Sequence, residues 1–424
     1  MHVLISGAGI AGPTLAFFLA KAGARITIVE KSSSLLPHGQ NVDIQGSARI
    51  VIKKMGLLEE VLRLNTTEKG TQFIDPKGRP YAAFPVKDSS SARPTASPTS
   101  PFEILRADLA RILYEATKDH PNVNYLFGTT IKDVISNNDD SVKVVLSNGE
   151  VQESDLLVAA DGQWSQLRKQ CFSPEDINVV DLGMYVAYGT IPRLPNDNDW
   201  WNVYQALGSR IITLRPDPHG TVRAMFSRMP CNGAQEKAWS EASRGDRKTQ
   251  KELLRSEFAD AGWQAPRLLD AMDQAPDFYF HANQQIKMSK WSKSRVILLG
   301  DAAYCPTALT GMGTSLALDG AYVLAGELSK LDDGEHPRKA LEAYESAFRP
   351  FVEEQQQIPS VFPGIAHPGS AWKRRLFQAL LWTISKLVAI PWVANKFDDT
   401  DEEGFPLPRY PSFDDQGSKC EIST

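Results

Sequence analysis

The start of the chain constrains its fold most strongly. Residues 3–5 form an apolar run, and Gly7, Gly9 and Gly12 follow in the spacing G-x-G-x-x-G, directly before a stretch rich in Ala and Leu. This arrangement predicts a strand, a tight turn and a helix N-terminus. Gly7 allows the turn, Gly9 lets the backbone approach a pyrophosphate, and Gly12 lets the helix pack closely on the strand. We therefore predict a dinucleotide site here.

A second apolar run, at residues 25–29, ends at Glu30 and Lys31. Glu30 follows the glycines by roughly 20 residues, the spacing at which an acidic side chain accepts hydrogen bonds from the adenosine ribose. Its negative charge would repel a 2′-phosphate. Because NAD and FAD share the same adenosine diphosphate half, this part of the chain does not distinguish between them.

Two further glycine motifs each follow a predicted buried strand. One strand ends in D-G-Q-W-S-Q-L-R at residues 161–168, and another ends in G-D-A-A at residues 300–303. Gly311 and Gly313 follow, before a stretch predicted to be helical to about residue 330. Over residues 1–345 this ordered set resembles the single-component flavoprotein aromatic hydroxylases, the para-hydroxybenzoate hydroxylase-like family.

The resemblance implies an α/β fold: a Rossmann-like, glutathione-reductase-like FAD-binding domain, an inserted, mostly antiparallel substrate sheet, and a C-terminal helical segment. Shifts in composition suggest where these parts begin and end. A stretch rich in Ser, Pro and Thr predicts a mobile loop within the sheet domain. The predicted parts are residues 1–75, 102–178 and 284–345 for the FAD-binding domain, 76–101 and 179–283 for the sheet domain with its loop at 86–101, and 346–424 for the C-terminal helices and acidic tail.

The resemblance also implies roles for individual residues. Arg106 lies near the FAD phosphates, and Asp301 holds the ribityl chain. Asp161, with Ser165 and Arg168, belongs to a segment that the family places beside FAD and the nicotinamide cofactor. Residues 43–46 are similar to the segment at the flavin ring edge in the tetracycline-inactivating branch. The predicted cofactor-binding residues are Gly7, Gly9, Gly12, Glu30, Lys31, Asp43, Arg106, Asp161, Asp301, Gly311 and Gly313.

Three positions depart from the family pattern. Tyr304 replaces the usual His, the tandem prolines are reduced to Pro306, and Ser315 stands where Asn is expected. Gly311 and Gly313 still open the predicted helix, whose positive end can stabilise negative charge on a reduced flavin. That role uses backbone groups and tolerates changes of side chain.

Short alternating strands within residues 179–283 predict the sheet that covers the substrate. We select its aromatic and basic residues Trp201, Tyr204, Arg210 and Phe226 as candidates for contact with an aromatic substrate. Trp201 and Tyr204 are three apart along one predicted strand and should face opposite sides, so at most one of them lines the cavity.

Composition excludes several classes of protein. The 424 residues, 42% hydrophobic and 23% charged, are enough for a large core in two or three domains. A net charge of −5 gives no basic surface for nucleic acid. The four dispersed cysteines favour neither a zinc site nor a disulfide framework, and the first strand leaves no room for a leader peptide. We therefore predict a cytoplasmic protein without a metal site.

The C-terminal part contains an apolar helix at residues 372–394. Polar residues interrupt it and Pro391 ends it, whereas a membrane-spanning helix needs roughly 20 apolar residues. We predict that it packs against the FAD-binding domain; contact with a membrane surface is possible but not favoured. The acidic run at residues 398–403 and the tail after it are predicted to be solvated and loosely held.

These features predict an FAD-dependent monooxygenase. By the resemblance, NADPH or NADH reduces the flavin, and a flavin C4a-hydroperoxide transfers one oxygen atom from O₂ to an aromatic or polycyclic secondary metabolite. The cofactor carries this chemistry, so we name no obligatory catalytic side chain. Hydroxylation, epoxidation and insertion beside a carbonyl stay open. The alternatives are an FAD-dependent oxidase or dehydrogenase and a non-enzymatic flavin-binding protein; a halogenase is disfavoured because no W-x-W-x-I-P segment is present.

Overall fold

The computed structural model describes residues 1–36, 39–86, 99–359, 364–388 and 404–413. Most of the predicted mobile loop, residues 87–98, and the acidic run at 398–403 lie outside these ranges. The strands are β1 His2–Ser6, β2 Arg25–Glu30, β3 Asn41–Val42, β4 Gly70–Ile74, β5 Pro80–Pro85, β6 Ile104–Leu105, β7 Val123–Phe127, β8 Ile131–Asn137, β9 Val142–Leu146, β10 Val151–Ser154, β11 Leu156–Ala159, β12 Ile177–Pro192, β13 Trp201–Ala206, β14 Arg210–Pro216, β15 Thr221–Arg228, β16 Tyr279–Met288, β17 Ser292–Lys293 and β18 Val296–Leu298. The helices are α1 Ala11–Lys21, α2 Ser47–Lys54, α3 Leu58–Arg63, α4 Arg106–Glu115, α5 Gln166–Cys171, α6 Gly233–Ser243, α7 Arg247–Phe258, α8 Ala265–Gln274, α9 Asp301–Tyr304, α10 Gly313–Leu328, α11 Arg338–Gln355 and α12 Ala371–Val388.

The first sheet explains why motifs far apart in sequence come together. Its order is β17-β18-β11-β1-β2-β7, and all its pairs are parallel except β17 with β18. The strands β1, β11 and β18 are adjacent, and each precedes one of the three glycine motifs. Because parallel strands end at the same edge of a sheet, the three motifs meet there. The predicted α/β fold is confirmed.

The second sheet has seven strands in the order β16-β12-β15-β14-β13-β4-β5, antiparallel except for β13 with β4. It contains Gly70–Ile74 and the whole of Tyr279–Met288, so it takes more of the chain than the predicted boundaries assign to it. One face packs on α6, α7 and α8 in a shared apolar core. The alternation of side chains along each strand turns the other face away from these helices.

Three of the four predicted substrate residues stabilise the packing on the helices. Phe226 is fully buried, and its ring meets the ring of Phe258 on α7 edge to face at 5.0 Å. The buried Tyr204 donates a hydrogen bond to the Ala261 carbonyl at 2.8 Å. Arg210 donates to the Glu257 carbonyl at 2.6 Å and also bonds Asp260 on the same side of the sheet. These placements contradict a cavity position for Tyr204, Arg210 and Phe226.

Trp201 lies on the opposite face from Tyr204, as the sequence spacing predicts. Trp201 is half-buried and is absent from the core that Tyr204 shares with the helices. Of the four predicted residues, Trp201 is therefore the one on the open face of the sheet.

The C-terminal part departs from two expectations. The helix α12 packs on β5 of the second sheet, where Val388 meets Ala82 and Phe84, so its predicted packing against the FAD-binding domain is wrong. Residues 404–413 are not a loose tail, since Tyr410 and Phe413 are buried in the apolar core formed by the first sheet and its helices, which we call the first domain; the second sheet with α6, α7 and α8 is the second domain. Among the described residues, no helix has the length and apolar character needed to cross a membrane.

Replacing Phe226 tests which face of the sheet is the core. We expect Phe226→Ala to lower the free energy of unfolding by about 3–5 kcal/mol, because it leaves a cavity against α7. Leu207→Ala, at a residue 41% exposed, should change it by less than about 0.5 kcal/mol. Denaturant titration measures both values. A Phe226→Ala protein that is as stable as the unmodified one but binds substrate more weakly would show that Phe226 lines the substrate cavity after all.

Candidate active site

Glu30 is held at the nucleotide end of the site by two backbone groups. The amide of Ala8, inside the first glycine motif, donates to one carboxylate oxygen at 3.0 Å, and the amide of Ser32 donates to the other at 3.0 Å. Each oxygen retains a lone pair for a further donor. Lys31 is exposed beside Glu30 at the same strand end. This geometry fits an acid that accepts hydrogen bonds from ribose hydroxyls.

The N-terminus of α1 and Arg106 form a cradle that fits a pyrophosphate. No side chain caps α1 and its first turn carries no acid, so its backbone N–H groups can bind an anion. Arg106 opens α4, and its Nη2 atom would lie 3.8 Å from a Cβ atom built on Gly9. A side chain at Gly9 would therefore fill the space between the helix N-terminus and the guanidinium.

The carboxyl group of Asp301, in the third motif, lies next along this cradle. Asp301 is partly exposed, yet burial raises the pKa of its carboxyl group, while the charges of Arg106 and Arg168 act in the opposite direction. Partial exposure together with desolvation indicates a group at the bottom of a cleft. A Cβ atom on Gly313 would lie 3.6 Å from Asp301 Oδ1. Gly9, Arg106, Asp301 and Gly313 thus line one continuous path.

The segment at residues 43–46 meets the other end of this path. A Cβ atom on Gly311, whose φ is +67°, would lie 3.3 Å from Gln45 Nε2. Gln45 Nε2 also donates to one Asp43 oxygen at 3.3 Å, and the Ser100 hydroxyl donates to the other at 2.5 Å. Burial raises the pKa of the Asp43 carboxyl group. These two hydrogen bonds hold residues 43–46 in place, and each Asp43 oxygen, like those of Glu30, retains a lone pair for a further donor.

The second motif is tied to the third by Arg168. The buried Arg168 donates to the Ala302 carbonyl at 2.8 Å and to the Gln163 carbonyl at 2.6 Å, so it is not a solvated helix charge. Asp161 accepts a hydrogen bond from the Gln166 amide at 3.0 Å. Its other oxygen is buried and has no partner within the described ranges, and burial raises the pKa of this carboxyl group. Asp161 therefore has an acceptor that a bound group could satisfy.

Sequence reasoning missed a charge cluster beside Trp201. The guanidinium of Arg215 lies 4.1 Å from the centroid of the Trp201 ring, donates to Glu68 at 2.8 and 2.9 Å, and bonds Glu103. Burial raises the pKa of Glu68, and it raises the pKa of Glu103 to about 8. Two buried carboxyl groups thus share one guanidinium, and both their burial and their mutual repulsion favour the protonated form of Glu103. No local sequence pattern marks these partners, which lie far apart in the chain.

Further aromatic and polar groups share the open face of the second sheet. Tyr188 stacks on His281 at 6.0 Å between ring centroids, and burial lowers the pKa of His281 to about 4, so this ring is neutral at neutral pH. The Ser227 hydroxyl lies 2.9 Å from Nε2 of the buried His367. Tyr188, His281 and Ser227 alternate with core residues along their strands, which is the signal that could have found them.

Known proteins similar to this chain bind FAD, which is consistent with the sheet edge where the three glycine motifs meet. Residues 1–357 match the family model described as the FAD binding domain. The chain belongs to this family. It is 34% identical to the FAD-dependent monooxygenase asL6 of Sarocladium schorii, over 98% of this chain and 99% of that protein. It is 37% identical to the monooxygenase CTB7 of Cercospora beticola, over 90% of this chain and 92% of that protein.

Solved structures of flavin enzymes have a similar fold. The tetracycline destructase Tet(55) is 29% identical, with a TM-score of 0.73, over 96% of this chain and 98% of that one. The protein is therefore an FAD-dependent monooxygenase, with NAD(P)H as the co-substrate of its family.

Removal of the carboxyl group of Glu30 or of Asp301 should weaken FAD binding. We expect Glu30→Ala and Asp301→Ala to purify folded but largely colourless, because a charge-assisted hydrogen bond of about 1.5–3 kcal/mol corresponds to roughly 10- to 150-fold in affinity. Fluorescence titration with FAD gives the dissociation constants. Asp260→Ala, at an exposed acid of the second domain, is the control. Full occupancy at low FAD in both test variants would contradict this cofactor site.

A side chain at Gly313 should disturb the flavin ring more than the nucleotide. Gly313→Val places a branched group at the start of α10, where we expect backbone donors to approach the ring. We expect the rate of flavin reduction in stopped-flow experiments to fall further than the FAD affinity. Gly233→Val, at a glycine with open space around it, is the matched control. Unchanged reduction kinetics would place the ring elsewhere.

Proposed function

We propose that the protein transfers one oxygen atom from O₂ to an aromatic or polycyclic secondary metabolite, bound between the cofactor and the open face of the second sheet. One observation carries this proposal. Arg215, beside Trp201, bonds Glu103, which directly precedes the strand β6 that leads into Arg106. Glu68, the other partner of Arg215, accepts a hydrogen bond from Asn41 on β3 at 3.0 Å. The Trp201 face thus adjoins the cofactor path.

The residues of the chain have separable tasks in this reaction. Bound FAD, reduced by NAD(P)H, supplies the oxygen-activating chemistry. The α1 N-terminus and Arg106 bind the pyrophosphate, and Asp301 orients the ribityl chain. The N-terminus of α10 at Gly313 offers backbone N–H groups and a positive dipole to negative charge on the ring. Trp201 supplies an apolar wall that excludes water from the substrate.

The similar proteins support the substrate class. The relatives from Sarocladium schorii and Cercospora beticola are named as monooxygenases, and the solved structures Tet(55) and Tet(51) are named as tetracycline destructases. The stacked Tyr188 and His281 and the Trp201 ring offer flat surfaces to an aromatic substrate. A cytoplasmic location is also part of the proposal, because no disulfide joins Cys171, Cys231 and Cys305 within the part of the chain that the structure describes, as is usual in a reducing compartment.

The decisive experiment follows the oxygen atoms. A panel of polycyclic phenols, indoles and polyketides is first screened for stimulation of NAD(P)H consumption. With the substrate found, labelled ¹⁸O₂ should place one labelled atom in the product for each nicotinamide oxidised. A product without label, together with stoichiometric hydrogen peroxide from the unmodified enzyme, would establish an oxidase instead.

The amount of product formed per NAD(P)H oxidised should depend on Trp201 and not on Tyr204, which lies on the other face of the sheet. We expect Trp201→Ala to admit water and release more hydrogen peroxide per NAD(P)H at the expense of product. Tyr204→Phe keeps the buried ring and loses only the hydrogen bond to Ala261, so its coupling should stay at the unmodified level. Peroxide and product assays measure the ratio. Equal coupling in both variants would remove Trp201 from the cavity.

A further inference from the structure

The last described segment, residues 404–413, returns to the first domain and is firmly anchored there. The Tyr410 ring lies against α10 so closely that a Cβ atom on Gly326 would come within 2.1 Å of it, and its hydroxyl donates to Glu327 at 2.8 Å. The Tyr322 hydroxyl donates to the Pro408 carbonyl at 2.9 Å. These contacts fix one end of the segment against the C-terminal half of α10.

The other end of the segment reaches the start of α2. The Phe405 amide donates to the Ser47 hydroxyl oxygen at 2.9 Å, and a Cβ atom on Gly404 would lie 2.2 Å from the Ser47 nitrogen. The Phe405 ring packs edge to face on Phe348 of α11 at 5.1 Å. The position of Ser47 is therefore defined by a segment more than 350 residues later in the sequence.

Ser47 is also bonded to α10. Its hydroxyl donates to Asp319 Oδ2 at 2.6 Å, and both side chains are buried. One turn earlier on the same face of α10, the Ser315 hydroxyl accepts a hydrogen bond from the Gln45 amide at 2.9 Å. Two successive turns of α10 thus hold the chain on both sides of Gly46.

This part of the chain is the one that meets the proposed ring end of the cofactor path. Gln45 approaches Gly311, and Gly313 at the start of α10 approaches Asp301. A shift of residues 43–47 relative to α10 would therefore change the width of the space between Gln45 and Gly311.

We propose that Ser47 and Asp319, completed by the Phe405 amide, are positioning residues that fix residues 43–47 against α10 and so shape the flavin-ring site. The proposal rests on the proposed placement of the ring. No role in oxygen transfer itself is assigned to these residues, because they act through Gln45 and the backbone.

The cost of burying Asp319 argues for such a role over simple packing. Its Oδ1 atom is buried and has no hydrogen-bond partner within the described ranges, and burial raises the pKa of the carboxyl group to about 8. An apolar side chain would fill this space without desolvating a carboxyl group. What Asp319 adds is a directed acceptor for Ser47, which fixes the register of α2 on α10.

The test compares variants that remove or keep the acceptor. Asp319→Leu removes it, Asp319→Asn keeps an amide oxygen for the Ser47 hydroxyl, and Gly404→Ala displaces the C-terminal segment from Ser47. Asp277→Leu is the matched control, since Asp277 accepts a hydroxyl hydrogen bond from Thr190 at 2.6 Å in the second domain. Gly233→Ala is the control for the glycine. Circular dichroism verifies folding of each full-length variant.

Two measurements report separately on the position of residues 43–47 and on the binding of FAD. Hydrogen exchange of a peptide covering residues 43–47, measured without FAD, should be faster in Asp319→Leu and Gly404→Ala than in the unmodified protein. The FAD dissociation constant should rise roughly 5- to 30-fold, as expected for a lost buried hydrogen bond, and the visible spectrum of bound FAD should shift. Asp319→Asn should restore both properties, and the two controls should change neither.

The outcomes that would overturn the proposal are distinct. Unchanged exchange in Asp319→Leu and Gly404→Ala would show that the network does not hold residues 43–47. Faster exchange with unaltered FAD affinity and spectrum would show that it does not shape the ring site. If Asp319→Leu fails to fold, Ser47→Ala and Gly404→Ala decide by the same criteria. Normal FAD binding by Asp301→Ala would contradict the cofactor placement itself, and this proposal with it.

Discussion

The close approach of α1 to β1 is the constraint on which the rest of the site depends. A Cβ atom on Gly12 would lie 2.1 Å from the Gly7 carbonyl oxygen, and one on Gly7 would lie 2.4 Å from the Ala160 carbonyl oxygen. Without side chains at these positions, α1 can begin directly above the carboxyl end of β1 and beside β11. Because α1 packs on α10, this approach also determines where the start of α10 lies relative to the α1 N-terminus.

The sequence predicted the parts of the site that depend on local structure. Each glycine motif follows a short buried strand, and the family resemblance supplied the order of the motifs. The faces of the second sheet were harder, because its strands carry large side chains on both sides: Phe226 and Trp201 look equally suited to a cavity until the helices are placed. Arg215 was missed because its partners Glu68 and Glu103 are brought to it only by the tertiary fold. The same holds for Tyr410, whose place depends on the gap left by a glycine on α10.

The Arg215 cluster also has a mechanical consequence. It joins the second sheet to the chain that leads into Arg106, through charges withdrawn from water. Removing one partner of such a buried pair commonly costs about 3–5 kcal/mol, because the remaining charge is left without compensation. The cluster therefore fixes the distance between the open face of the sheet and the cofactor path, while the raised pKa of Glu103 limits its net negative charge.

The departures from the family pattern affect side chains that position the chain, and they leave the backbone groups at the start of α10 unchanged. Tyr304 replaces the usual His, and its hydroxyl lies 2.9 Å from that of Tyr344, inside the helical layer. Ser315 replaces the expected Asn, and its hydroxyl accepts the Gln45 amide. Neither substitution alters the backbone N–H groups at the start of α10. Side chains near the proposed ring site can therefore change together with the segment that they hold. The backbone N–H groups that we propose for negative charge on the flavin stay the same.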